Sequence, residues 1–597
     1  MQLDPIDWSI ILVTFAVTFG IGIFSARRAG RGATEFFLSG RNMPWWLLGV
    51  SMVATTFSAD TPNLVTDIVR KNGIAGNWVW WAFLLTGMLT VFIYARLWRR
   101  SGALTDIEFY ELRYSGRSAA FLRGFRALYL GFFFNVTIMA TVSLAAIKIG
   151  GIMLGLSPLD TVIWASLVTV VVAAAGGLRA VLLSDFFLFA LSMTGAIAAA
   201  AFALQAPEIG SLQALLSSPA LADSLSFLPK LERLPGGTYS PESLDVFVSV
   251  LLIPIAVQWW SVWYPSAEPG GGGYVAQRML AAKDEKNARA AVLLFTALYY
   301  GLRPWPWIIV ALCSIVVFPD LESIAQAFPQ AHESIINDDL AYPAMLRQAL
   351  PAGWLGLVVA SLLAAYISTI STHLNWGSSY LVHDFYRRFI RPEASDREQV
   401  MVGRLATLLM MLVAGLFALQ LSNALQGFEI MLQIGAGTGL LFILRWFWWR
   451  INAVSEIVAM VVSFIVAVTL KLGDFGLASW QELLTGVGIT TVCWVSAALL
   501  TPAADSETLD SFCRRINPGG PGWRGVYRRL AEQGVTPEGL AVNIPRGILC
   551  MFLGCAAVYG VLFGTGFFLY GENLNAIILG AIAVAAAGGI VALRFND

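Results

Sequence analysis

Charge is what this sequence is shortest of. Asp, Glu, Lys and Arg make up only 13% of its 597 residues, against roughly 25% in ordinary soluble domains. Hydrophobic residues make up 57% and mean hydropathy is +0.70. No soluble fold accommodates that balance, so the chain reads as an all-α polytopic membrane protein whose surroundings are the lipid bilayer. The formal net charge of +0 offers no basic field to nucleic acid. Cysteine is scarce too. Cys313, Cys493, Cys513, Cys550 and Cys555 are odd in number and form no C-x-x-C pair, so neither a disulfide framework nor a zinc site is indicated. The histidines are His332, His373 and His383, placed on an external loop and at two levels of one helix. No clustered nucleophile, acid/base set or metal set is evident, so the chain is not expected to be an enzyme.

What it has in abundance is apolar length. Runs of ~20 apolar residues mark about fifteen spans, among them 44–68, 158–176, 180–205, 246–267, 350–384 and 425–450. The N-terminal run has acidic residues before it and no A-x-A site after it, so it reads as a transmembrane helix and not a cleaved signal. One set of alternate loops carries Arg27, Arg28, Arg31 and Arg41, then Arg96, Arg99, Arg100, Arg113 and Arg117, then Arg278, Lys283, Lys286 and Arg289, then Arg387 and Arg388. The other set holds little beyond Arg70, Lys71, Lys230 and Arg233. The N-terminus is therefore expected outside and the C-terminus in the cytoplasm, in a plasma membrane that would be a bacterial inner membrane. The basic, amphipathic 503–544 loop is expected to lie on lipid headgroups.

Two spans look broken. In "SMVATTFSADTPNLVTDIVRKNG", Thr55, Thr56, Ser58, Asp60 and Thr61 sit mid-span and Pro62 brings no backbone donor. The span ending "SVWYPSAEPGGGGYVAQR" is interrupted by Pro265, Pro269 and Gly270 to Gly273. Corresponding interruptions in two halves point to a transporter with inverted repeats, although two ordinary proline kinks would read the same way. The glycine run is followed by no Lys-Ser/Thr, which excludes a phosphate loop and an ATP-driven pump. A third segment, "AYISTISTHLNWGSS", places Ser368, Thr369, Ser371, Thr372, His373, Asn375, Ser378 and Ser379 in a span. On a helix, Ala365, Ser368, Thr369, Thr372 and Trp376 share one face. Hydroxyls one residue apart, with a carbonyl a turn earlier, suit a hard cation that takes oxygen ligands; packing between helices is the plainer use of such residues. His373 is more simply a helix-packing residue than a proton carrier.

The stretches "FFLSGRNMPWWLLGVSMVA", "GGLRAVLLSD", "YVAQRMLAAKDEKNA" and "AAYISTISTHLNWGSSYLVHDFY" fall in order on the spans between about 35 and 450. Together they resemble the sodium:solute symporter family, which includes sodium/galactose, sodium/proline and sialic-acid transporters. The resemblance implies a five-plus-five inverted repeat like that of the leucine transporter. It divides the chain into an extra N-terminal helix and first loop (1–40), a first repeat (41–205), an extracellular loop (206–245), a second repeat (246–450) and about four extra C-terminal helices with the cytoplasmic loop (451–597). It also implies sodium as the coupling ion, symported with a small organic solute by alternating access. A solute sensor or an uncoupled facilitator on the same fold is the alternative. Carried over residue by residue, the sodium site is Ala54 and Phe57 at the first break, with Ala365, Ser368 and Thr369 opposite. Asp185 matches an acidic residue that holds a second sodium in sialic-acid transporters. Ala365 stands where that site has a hydroxyl, so Thr372 would have to replace it.

The family's sugar-binding pattern is poorly kept. Trp80 and Phe83 stand where the galactose transporter has polar groups, and Thr61 stands for a glutamine. Gln433 and Tyr274 match a substrate-facing glutamine and an inner-gate tyrosine. Asp60, Glu268 and Arg303 are intramembrane charges, a functional signal by default, although Glu268 and Arg303 could simply pair. A compact charged or zwitterionic solute is expected over a neutral sugar. Oligomeric state, solute identity and the number of sodium ions are not readable from the residues.

Overall fold

A span inside lipid must satisfy its own backbone hydrogen bonds, which leaves helices as the solution for apolar segments of this length. The computed structural model describes residues 3–29, 32–262, 269–329, 336–421, 435, 437–473 and 475–593. Helices dominate them, and no strand forms among them beyond isolated bridges. Eleven helices among the described residues are long and apolar enough to cross a membrane. The elements used below are α1 (Pro5–Ala29), α2 (Trp45–Thr56), α3 (Thr61–Asn72), α4 (Ile74–Ser101), α5 (Gly116–Leu154), α6 (Pro158–Ala203), α7 (Gly273–Ala281), α8 (Glu285–Val317) and α9 (Trp354–Ile390). Further on come α10 (Ser506–Ile516), α11 (Arg524–Glu532) and α12 (Ile544–Leu569).

Five of the expected runs, which together yield one candidate span, account for the smaller count. The run 44–68 is two short helices, α2 and α3, neither long enough to cross alone. The runs 158–176 and 180–205 are one helix, α6, kinked at Gly177, whose φ of 56° and ψ of −161° are not helical. A Cβ there would meet the Phe36 carbonyl oxygen at 2.6 Å, so the kink seats this turn against the backbone of the first loop. The run 246–267 loses helical geometry at Val257 (φ −133°, ψ −48°), and 425–450 lies largely outside the described residues.

The centre is built by α9, buried along almost its whole length, and by α6, which packs against it and against α2. The extra helix α1 packs on both α6 and α9. Its buried Asp7 is a cap: Oδ1 accepts from the backbone N–H of Gly353 and of Gly356, each at 2.7 Å, at the start of α9. Two of the four orphan donors of a helix N-terminus are thereby satisfied by a carboxylate that also complements the helix dipole.

The apolar stripe of the 503–544 loop is covered by the protein. Leu509, Phe512, Cys513 and Ile516 of α10 and Val526 and Leu530 of α11 are buried in the protein. The Trp523 indole donates to the Trp446 carbonyl at 2.8 Å, and the Arg113 guanidinium lies 4.7 Å from the Trp523 ring. The amphipathic pattern was real, but its apolar stripe is matched by aromatic residues of the protein itself.

Candidate cation site and solute pocket

The break after α2 exposes the carbonyls that a continued helix would have used. Phe57 leaves helical geometry at ψ 60°. The Ala54 carbonyl is met by the Phe57 N–H at 3.1 Å. Thr55 O accepts from the Thr369 hydroxyl at 2.8 Å, and Thr56 O accepts from Arg303 Nη1 at 2.5 Å. Across from the break, Ala365, Ser368, Thr369 and Thr372 of α9 are all fully buried. Three other serine hydroxyls of α9 are spent on their own helix: Ser371 donates to Ser368 O at 3.1 Å, Ser378 to Asn375 O at 3.0 Å and Ser379 to Trp376 O at 2.6 Å. His373 Nδ1 lies 2.5 Å from Asn135 Oδ1, and the Asn135 amide donates back to the His373 carbonyl at 2.8 Å. That closed pair is a packing device.

Asp185 of α6 reaches into the same place. Its Oδ1 accepts from Ser368 Oγ at 2.6 Å and its Oδ2 from Ser51 Oγ at 2.5 Å. Each hydroxyl has one proton, so both spend it on the carboxylate and turn their lone pairs elsewhere. At Ser51 those lone pairs face Arg278, whose Nη2 and Nε donate to it at 3.1 and 3.3 Å. The same Nη2 donates to Thr372 Oγ1 at 2.8 Å and approaches Thr55 Oγ1 at 3.5 Å, and Nη1 donates to Gln277 Oε1 at 3.1 Å.

Arg278, counted from the sequence among loop cations, is therefore not in a loop. It is 0% exposed at the centre of the cluster, 3.8 Å from Asp185 Oδ2. Helix α7 starts at the glycine run, where Gly270 and Gly271 hold φ of 87° and 94°. Those angles lie in the left-handed region that side chains disfavour, so the turn can fold back tightly because it is glycine. Asp106 Oδ2 accepts from Gly273 N at 2.7 Å at the start of α7, and Oδ1 accepts from the Tyr380 hydroxyl. One turn later, Gln277 and Arg278 point inward. The available signal was spacing: both polar residues lie inside the apolar "GYVAQRMLA", before the loop charges begin at Lys283.

A cavity of about 80 Å³ lies beside the break, lined by Thr55, Thr56, Ser58, Asp60, Thr61, Leu64, Val65, Trp80, Tyr274 and Tyr299. Of the substrate residues expected from sequence, Asp60, Thr61, Trp80 and Tyr274 come together here. Phe83 does not: it lines a separate cavity of about 30 Å³ with Tyr300 and Gly271. Trp80 separates the two, stacked on Tyr300 at 6.0 Å and edge-on to Tyr299 at 5.8 Å. Arg303 stands one layer behind the wall. Its guanidinium carbon is 3.7 Å from the centre of the Tyr299 ring and 4.8 Å from that of Trp307, and its Nε and Nη2 have no hydrogen-bond partner. Asp60 Oδ1 is likewise buried without one. Glu268 and Gln433 lie outside the described residues.

A helix broken beside buried oxygens, a polar helix opposite it and a small pocket adjoining both define an ion-coupled secondary transporter. The chain belongs to the sodium:solute symporter family, whose model matches residues 36–463. It is 24% identical over 523 residues to a sodium/glucose cotransporter of Vibrio parahaemolyticus, covering 85% of this chain and 92% of that one. A sodium/mannose cotransporter of Bos taurus is 25% identical over 493 residues, with 79% and 80% covered. A Na+-coupled sialic acid symporter, solved substrate-bound and outward-open, superposes with a TM-score of 0.65 at 20% identity, over 84% of this chain and 99% of that one. The fold is the inverted-repeat transporter fold expected from sequence, and the activity is sodium-coupled symport of a small solute by alternating access, not enzymatic turnover. Sodium is the coupling ion.

Proposed function

We propose that the coupled sodium binds where α2 breaks against α9, held by the carbonyls of Ala54, Phe57 and Ala365 and the hydroxyls of Ser368 and Thr369. The single observation that carries this is the Thr369–Thr55 contact: a hydroxyl of α9 already spans the gap to a carbonyl freed by the break. A hard cation entering there would exchange that hydrogen bond for oxygen ligands from both helices, and so tie the broken helix to α9. The solute occupies the adjoining pocket, so that ion and solute stabilise one closed arrangement and couple through it.

The solute is compact, because the cavity beside the break is small, about 80 Å³. It carries an ammonium or comparable cationic group. Asp60 supplies the unpaired carboxylate oxygen, and Trp80, Tyr274 and Tyr299 supply ring faces that suit a desolvated cation. An amino acid or a betaine fits. The names of the relatives favour a second reading, a neutral sugar-like polyol whose hydroxyls donate to Asp60. In either case the protein lies in a plasma membrane, that of a bacterial inner membrane, with its N-terminus outside and C-terminus cytoplasmic. The test is a thermal-shift screen of the purified protein against zwitterions, amines and polyols in sodium and in potassium. Stabilisation by a cationic or zwitterionic solute, larger in sodium, is expected. Stabilisation by polyols alone selects the second reading.

A further inference from the structure

We propose that a crevice between α1, α5, α6 and α9 binds one acyl chain of an aminophospholipid from the surrounding bilayer. The cavity has a volume of about 340 Å³, within the range of roughly 300–1,000 Å³ typical of ligand pockets. It borders the break through Ala59, whereas the solute pocket borders it through Ser58 and Asp60, and the two share no lining residue. Its floor is buried and apolar: Ala59, Ala146, Ile149, Val359, Leu362 and Ile367. Its rim is exposed, formed by Trp8 and Leu12 of α1 and Trp164 of α6. The two hydroxyls in its wall are already committed. Thr161 donates to the Ser157 carbonyl at 3.0 Å, and the Tyr366 hydroxyl pairs with that of Ser143 at 3.0 Å. Among the described residues, no charged side chain lines it.

What such a wall holds is hydrocarbon. Protein interiors are packed to crystal density and leave few voids larger than a water molecule, and apolar walls without polar partners do not retain water. The mouth lies on α1, whose Trp8 and Leu12 belong to a candidate membrane span, so the material facing it is lipid chain. The rim selects the headgroup. Asp4 and Asp160 are exposed and lie one helical turn beyond Trp8 and Trp164, with the Trp8 N–H donating to the Asp4 carbonyl at 3.2 Å. Indoles at that level suit the membrane interface. Lys148 of α5 is buried and paired with Asp339 at 2.7 Å, so its ammonium is not offered to the mouth. An ammonium headgroup complements the two aspartates, and a purely anionic one does not. Asp7 of α1 caps the start of α9, so these helices begin on one side and the chain enters from that leaflet. Seated there, it packs on Ala59 at the break and on Ile367 beside Ser368, touching both elements of the proposed ion site. The inference does not rest on that site.

The test maps where a lipid chain touches the protein. The full-length chain is reconstituted in liposomes of phosphatidylethanolamine and phosphatidylglycerol that contain phosphatidylethanolamine with a diazirine near the end of one acyl chain. After irradiation, adducts are located by mass spectrometry. Adducts on the buried floor, at Ala59, Leu362 or Ile367, are expected alongside those on exposed Leu412 of a separate span. Adducts on Leu412 with none on the floor overturn the proposal. Val168→Trp, which narrows the crevice from its α6 wall, should lose the floor adducts and keep the one on Leu412. Floor adducts that persist on the folded variant overturn the site, and the wild-type map decides the matter if that variant does not fold. The same labelled chain on phosphatidylglycerol should give several-fold fewer floor adducts, and equal numbers overturn the aminophospholipid assignment. Floor adducts from a labelled free fatty acid, with none from the labelled phospholipid, overturn it as well.

Discussion

Arg278 and Arg303 are both fully buried arginines beside the same broken helix, yet their surroundings differ in kind. Every nitrogen of Arg278 donates to an oxygen within the cluster, with a carboxylate close by. Arg303 holds one carbonyl through Nη1, lies over the rings of Tyr299 and Trp307, and keeps Nε and Nη2 without partners. A charge in low dielectric is tolerated when paired and hydrogen-bonded, and is costly otherwise. Arg278 is therefore a finished part of the scaffold. Arg303 is an unfinished one, bracing the wall of a pocket whose Asp60 also has a vacant oxygen. On the site proposed above, the finished arginine stands on the ion side and the unfinished one behind the wall of the solute pocket.

The most forceful way to break this comparison is to remove each arginine in turn. In potassium, Arg278→Gln should destabilise the protein by roughly 3–5 kcal/mol, because Asp185 is left as a lone buried charge. Adding Asp185→Asn should recover most of that loss in a melting-temperature cycle. Arg303→Gln should cost less, about 1–3 kcal/mol, for leaving the Thr56 carbonyl unpaired. Equal losses for the two arginines would erase the distinction between them. Asp60→Asn addresses the pocket: solute affinity should fall by about 1.5–3 kcal/mol, the range of a charge-assisted hydrogen bond, while the melting point without solute holds or rises. Calorimetry with the solute found by the screen reads both values, and unchanged affinity would remove Asp60 from the pocket.

Smaller effects sharpen the ion side. Thr369→Ala should weaken sodium binding by roughly 1 kcal/mol, the size of one lost oxygen contact. Solute affinity should drop at limiting sodium and recover at saturation, since coupling is reciprocal. Ser378→Ala serves as control, because its hydroxyl donates only to its own helix at Asn375 O. A sodium titration showing equal shifts for both variants would misplace the site. Asp7→Ala removes the cap of α9 and should cost about 1 kcal/mol in melting stability, without altering the sodium dependence. A change in sodium affinity there would mean that α1 takes part in coupling.

The fold was legible because lipid forces apolar length into helices and because Pro62 and the glycine run interrupt two of them visibly. The face of Ser368, Thr369 and Thr372 was legible through helical periodicity. Arg278 was not, because loop arithmetic counts cations by sequence position, and only four residues separate it from Lys283 at the start of the true loop. Its burial depends on a helix that begins at Gly273, capped by Asp106 more than 160 residues earlier in the chain. Phe83 was misplaced because Trp80, stacked on Tyr300, walls it off from the pocket. The amphipathic 503–544 loop looked lipid-facing because periodicity reports an apolar stripe and not what covers it.

The central claim is that sodium bound at the α2 break drives solute inward. Proteoliposomes carrying the protein, supplied with the solute that most raises its melting temperature, test it directly. An inward sodium gradient should concentrate that solute above its external level, an inward potassium gradient should only equilibrate it, and Thr369→Ala should demand a steeper sodium gradient for the same accumulation. Accumulation that is the same in sodium and in potassium would contradict the account.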